Sequence, residues 1–127
     1  MNYLAIDLGR AKTGLAYSEG EIATPLSTIR HATTAQLLKK LETIVYQMEI
    51  GTIIIGYVEG KNINMYKNFA KLVKKEFSQL TVVLQDETLT TRHAQESMIK
   101  FQVPVRARKE KEDQYAAAAI LNEFLEK

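Results

Sequence analysis

The sequence contains no cysteine, so disulfides and thiolate metal sites are excluded. Any metal must be held by oxygen or by the two histidines. No apolar stretch approaches the roughly 20 residues needed to span a bilayer. The opening MNYLAIDLG has no basic segment, and Asp7 interrupts its apolar run, so it is not expected to be a secretory signal. The expected compartment is the cytoplasm. Proline is scarce, and its two positions are informative. Pro25 puts part of a strand at an edge or bend, and Pro104 should break a helix.

The 127 residues amount to one ordinary domain spanning 1–127. With 46% hydrophobic and 25% charged residues, the chain reads as globular rather than disordered. The net charge of +2 is compatible with a nucleic-acid partner but does not establish one. Positive charge clusters at Lys71, Lys74 and Lys75, and again at Arg106, Arg108, Lys109 and Lys111. A solvated surface explains either cluster equally well.

Apolar periodicity divides the chain. Residues 3–8 suit a buried strand that presents Asp7 near its end. Residues 14–18 and 21–30 suit two more strands, with a turn at Arg10–Thr13. Leu37, Leu38, Leu41, Ile44, Val45 and Met48 fall at helical spacing over 34–49, and Gly51 reads as the stop. The β-branched run Thr52–Gly56 does not alternate, so it should be a central strand covered on both faces. Tyr66, Phe69, Ala70, Val73 and Phe77 mark a second helix, and 81–85 another buried strand. Thr90 or Thr91 can cap a third helix to about Phe101. Residues 102–111 read as a basic loop, and a last helix begins at Glu112. The expected fold is α/β: a mixed five-stranded sheet, its first three strands antiparallel, with helices on both faces. RNase H-like proteins have this topology, and so do the halves of actin-like ATPases.

Three acidic positions stand out. Asp7 ends the first strand, Asp86-Glu87 closes the last, and Asp113 stands four residues before Ala117 and seven before Ile120, on an apolar stripe. A carboxylate facing the core needs compensation, and a shared divalent cation supplies it. Mg²⁺ prefers such hard oxygen donors. Two ions about 4 Å apart can clamp a phosphodiester. Each position also has a plainer reading. Asp7 can open a turn before Gly9, Asp86 can be a turn residue, and Asp113 can be an acid favoured by the dipole of a first helical turn. Gly9 and Gly14 allow a tight turn after Asp7, where Arg10 or Lys12 can meet a phosphate. The turn is not a Walker A loop. His31 and His93 have no histidine partner at metal spacing. Ser18 and Ser97 have no visible base.

Three segments resemble the YqgF/RuvX family in order and spacing. The opening D-x-G-x-x-x-x-G-x-A is Asp7, Gly9, Gly14 and Ala16. The D-E-x-L-T-T segment is Asp86, Glu87, Leu89, Thr90 and Thr91. The closing D-x-x-A-A-x-x-I-L is Asp113, Ala116, Ala117, Ile120 and Leu121. The family is described as Holliday-junction resolvases and as nucleases that mature the 5′ end of 16S rRNA. The resemblance implies an RNase H-like fold and phosphodiester cleavage with Mg²⁺ or Mn²⁺. It implies Asp7, Glu87 and Asp113 as catalytic metal ligands. It also implies substrate contacts at the turn (Gly9, Arg10, Lys12) and at Thr90 and Thr91, where helix N–H groups can hold a phosphate. The basic run of Arg106, Arg108 and Lys111 is a further candidate contact.

The chain departs from the family at Gly56-Tyr57-Val58-Glu59-Gly60, which lacks the usual proline, at Thr88, which replaces an arginine, and at Lys12-Thr13, near a place where the family often has an arginine. Losing a bidentate phosphate binder is not conservative and bears on substrate choice and rate. The implied partner is nucleic acid, either pre-rRNA or branched DNA, with ribosomal particles as a further partner and no membrane. A two-fold junction favours a homodimer, whereas rRNA trimming is compatible with a monomer. A non-catalytic nucleic-acid-binding module is the alternative class, and retention of all three carboxylates argues against it. An actin-like ATPase of 127 residues would lack a second lobe to close over nucleotide.

Overall fold

Alternation of side chains along β1 (Asn2–Asp7) sends Leu4 and Ile6 to one face of the sheet and Ala5 to the other. The computed structural model describes residues 2–58, 62–86 and 104–126, with the backbone only at 108–110. β2 (Lys12–Ser18) and β3 (Thr24–Arg30) follow as an antiparallel meander. α1 (Thr34–Gln47) and α2 (Ile63–Glu76) cross over to β4 (Ile50–Tyr57) and β5 (Thr81–Asp86), both added parallel to β1. The strand order is β3-β2-β1-β4-β5. α3 (Val105–Leu125) completes the described elements. This is the expected mixed sheet, with β3 and its Pro25 at an edge.

The two faces bury different kinds of residue. One carries the large core of Leu4, Ile6, Leu15, Ile53 and Ile55 under Leu37, Leu41, Phe69 and Val73 of α1 and α2. The other pairs Ala5, Ala16 and Ile54 with Ala117, Ala118, Ile120 and Leu121 of α3. β4 serves both clusters, which is why its isoleucines do not alternate with polar residues. Small side chains on the second face let α3 lie close to β1 and β2.

Two boundaries differ from expectation. α3 begins just after Pro104, so 105–111 is helical rather than loop. Its Arg, Lys, Glu and Ala residues are strong helix formers despite their polarity, and proline suits a helix start. Asp113 therefore lies well inside the helix, which removes the reading of a dipole-favoured first-turn acid. α1 stops at Met48 rather than at Gly51, which is in β4. The reversal falls on Glu49, whose φ of 51° is left-handed. At its other end, α1 carries a capping box. Gln36 N–H donates to Thr33 Oγ1 at 3.1 Å, and Thr33 N–H donates back to Gln36 Oε1 at 3.4 Å. The helix expected from Thr90 or Thr91 lies outside the described residues.

Candidate active site

The site is built around Gly14. Asp7, the last residue of β1, pairs across the antiparallel ladder with Gly14 of β2. Asp7 shares the α3 face with Ala5, by alternation along the strand. Gly14 has the same parity as Ala16, and the backbone of Asp113 packs directly on it. A Cβ on Gly14 would overlap the Asp113 carbonyl group and come within 2.7 Å of the Gln114 nitrogen. Only glycine permits this approach. Two carboxylate residues from opposite ends of the chain thus flank one glycine on one face of the sheet.

Lys12 enters from the first position of β2, and its Nζ lies 3.3 Å from Asp113 Oδ2. That oxygen is buried and accepts no hydrogen bond from the described residues. A cation therefore already stands against an otherwise unsatisfied carboxylate oxygen. These are hard donors of the kind a divalent ion takes. Asp7 and Asp113 fit as ligands on this chemistry. Among the described residues, no group of three acidic or histidine side chains assembles. Glu87, the third expected ligand, lies outside the described residues, as do Thr90 and Thr91.

The other sequence candidates sort by position. Asp86 pairs with Tyr57 at the end of β5 and shares the parity of Leu84, so it faces the α1–α2 side, away from Asp7. The odd positions of β5, Val83 and Gln85, share the Asp7 face. Gln85 is only 4% exposed, and nothing in its apolar-looking strand singles it out beforehand. Arg10 is exposed on the turn after β1. Arg106 stands seven residues before Asp113, about two helical turns along the same stripe of α3. Lys111, two residues from Asp113, projects from nearly the opposite side. The side chain of Arg108 is outside the described residues.

Sequence reading gave no role to His31, which ties the turn from the other face. Its Nε2 is 2.8 Å from Thr13 Oγ1, and Gly9 N–H donates to that same oxygen at 3.3 Å. Burial, and then the charge of Lys40, hold the imidazole pKa below its ordinary value, favouring the neutral ring. These contacts depend on the β2–β3 register, so spacing alone could not reveal them.

A mixed sheet in this strand order, with an acidic residue ending β1 and another on the helix behind it, defines an RNase H-like α/β protein. Solved structures share the fold. The Fowlpox virus resolvase in complex with Holliday junction DNA superposes with a TM-score of 0.66 at 12% identity, covering 99% of this chain and 97% of that one. RuvC of T. thermophilus with a Holliday junction substrate gives 0.62 at 14% identity, over 98% and 94% of the two chains. The sequence matches the family described as "RuvX: Holliday junction resolvase" over residues 1–127, and the chain belongs to that family. Its relatives include proteins named "Putative pre-16S rRNA nuclease". One from Geobacillus sp. (strain WCH70) is 34% identical, over 99% of this chain and 98% of its own. One from Rickettsia canadensis (strain McKiel) is 33% identical, over 97% and 84%.

Proposed function

We propose that residues 1–127 form one nuclease domain that hydrolyses phosphodiester bonds in structured nucleic acid, with the 5′ end of pre-16S rRNA as its substrate. The observation that carries this reading is the meeting of Asp7 and Asp113 around Gly14. Asp7 and Asp113, with Glu87, would hold Mg²⁺ or Mn²⁺, which when bound supplies an activated water and charge stabilisation at the leaving 3′ oxygen. Lys12 neutralises Asp113 from the side. Arg10, exposed on the turn, offers a cation to the phosphate, with Gly9 letting the backbone come near. Arg106 extends the positive track along α3, with Arg108 and Lys111 as outlying contacts. Thr90 and Thr91 complete the proposed phosphate contacts.

The substrate assignment follows the relatives named as pre-16S rRNA nucleases. The family description and the resolvase fold favour a second reading, cleavage of branched DNA. Either substrate places the protein in the cytoplasm, where ribosomal particles are a partner in the first case. Among the described residues, no helix is long and apolar enough to cross a membrane.

Labelled pre-16S RNA and junction DNA, incubated in parallel with Mg²⁺ or Mn²⁺, test the reading. The expected result is metal-dependent cleavage of the RNA, lowered at least about a hundredfold in Asp7→Asn while binding persists. Cleavage of the junction alone would transfer the assignment to DNA. Salt-dependent binding without cleavage at any metal concentration would leave a binding module.

A further inference from the structure

The turn between β1 and β2 has two sides. On the α3 side it delivers Lys12 to Asp113. On the other side it is bonded to the end of β3. Thr13 is fully buried, and its Oγ1 takes the Gly9 N–H at 3.3 Å while meeting His31 Nε2 at 2.8 Å. His31 N–H in turn donates to the Ala11 carbonyl at 2.9 Å. Gly9, Ala11 and Thr13 are therefore all fastened, directly or through one hydroxyl, to His31. The turn is tight as well, since a Cβ on Gly9 would overlap the Lys12 carbonyl oxygen.

Packing does not substitute for these bonds. A cavity of about 390 Å³ lies against the turn, lined by Leu8, Gly9, Arg10, His31, Thr33 and Asn68 among others. The turn has room to relax into that space once its bonds are cut. The imidazole also carries a cost. Its Nδ1 is buried without a hydrogen-bond partner among the described residues, and a buried unpaired polar atom is unfavourable. An apolar side chain at position 31 would avoid that penalty, and it would forfeit the link to Thr13.

We propose that His31 is a positioning residue that acts through Thr13 to hold the Gly9–Lys12 turn, so that Arg10 and Lys12 meet the scissile phosphate from a fixed place beside Asp7. The consequence for cleavage rests on the nuclease reading; the fastening of the turn does not. His31 touches no reacting atom. Its removal raises KM through a loosened phosphate contact and leaves the acidic site on the opposite face of the sheet in place.

Two readouts on the intact chain test this. The first is exchange of the Gly9 amide hydrogen, followed by NMR in wild type, His31→Ala, His31→Gln and Thr13→Val. His31→Ala and Thr13→Val are expected to speed Gly9 exchange at least about tenfold, the scale of one lost hydrogen bond, while Leu4 and Ala5 keep their protection. His31→Gln, whose side-chain amide can reach Thr13, is expected to restore it. The second readout is cleavage, where His31→Ala should raise KM at least about threefold with kcat changed by less than about twofold. Unchanged Gly9 exchange would overturn the proposal. So would a uniform rise across β1, which marks a merely structural histidine, or a fall in kcat at constant KM. If the wild type cleaves nothing, the nuclease reading fails, and Gly9 exchange still decides whether His31 holds the turn.

Discussion

The backbone of Asp113 rests on Gly14, with no room between them for a single methyl group. Because Gly14 is also the ladder partner of Asp7, this contact fixes how near α3 brings one carboxylate to the other. We predict that Gly14→Ala pushes α3 off β2. The expected cost is about 1–3 kcal/mol from overpacking, with a larger proportional loss of divalent-metal affinity. Urea denaturation and Mn²⁺ titration measure the two effects. Wild-type stability and affinity in this variant would show that the contact is not needed.

Lys12 stands against Asp113, one of the proposed metal ligands. Replacing it by methionine removes both a competitor for the carboxylate and a repulsive charge. We predict that Lys12→Met tightens Mn²⁺ binding by about two- to fivefold, the scale of a partly exposed ion pair. The same change should weaken substrate binding. Calorimetric titration of the metal alone separates the two, and weaker metal binding would contradict the assignment.

The His31 imidazole is held below its ordinary pKa of 6.5, first by burial and then by Lys40. The sign follows from linkage: the unfolded chain takes up the proton more readily than the folded one. The stability tied to the neutral ring is thus fully present above about pH 6.5. It is lost as pH falls from there through the lowered folded value. Protonation would also set a positive imidazolium near the charge of Lys40. Thermal denaturation between pH 5 and 8 should show a His31-dependent drop on the acid side that His31→Gln lacks. A drop of equal size in His31→Gln would assign it to other groups.

Glu49 ends α1 with a φ of 51°, in the region that L side chains enter at a cost. It is exposed, and glycine adopts that conformation freely. Glu49→Gly is therefore expected to stabilise the protein by about 0.5–1 kcal/mol, read as a shift of the urea midpoint. A destabilised variant would refute the account of this helix end.

Much of the frame was legible in advance. Ile53–Ile55 announced a central strand because a strand covered on both faces has no polar side to display. Leu37 and Leu41 announced α1 by their spacing. The helical segment from Val105 was missed because a polar run resembles a loop when only apolar spacing is counted, though its residues are good helix formers. Asp7 and Asp113 were singled out as candidate ligands by motif spacing. That they meet at Gly14 depends on a helix packing against a strand far away in the chain. The bond between His31 and Thr13 was equally hidden. It requires the register of an antiparallel pair that shifts between Leu15 and Ala16, and no local pattern encodes that shift.

The proposed site requires Asp7 and Asp113 to ligate the same ion. Mn²⁺ is paramagnetic, so NMR line broadening at low Mn²⁺ reports which amides lie near it. The amides of Asp7, Gly14 and Asp113 should broaden together, and Asp7→Asn should remove the effect at all three. Broadening centred elsewhere, or left intact at Asp113 in Asp7→Asn, would contradict a shared site.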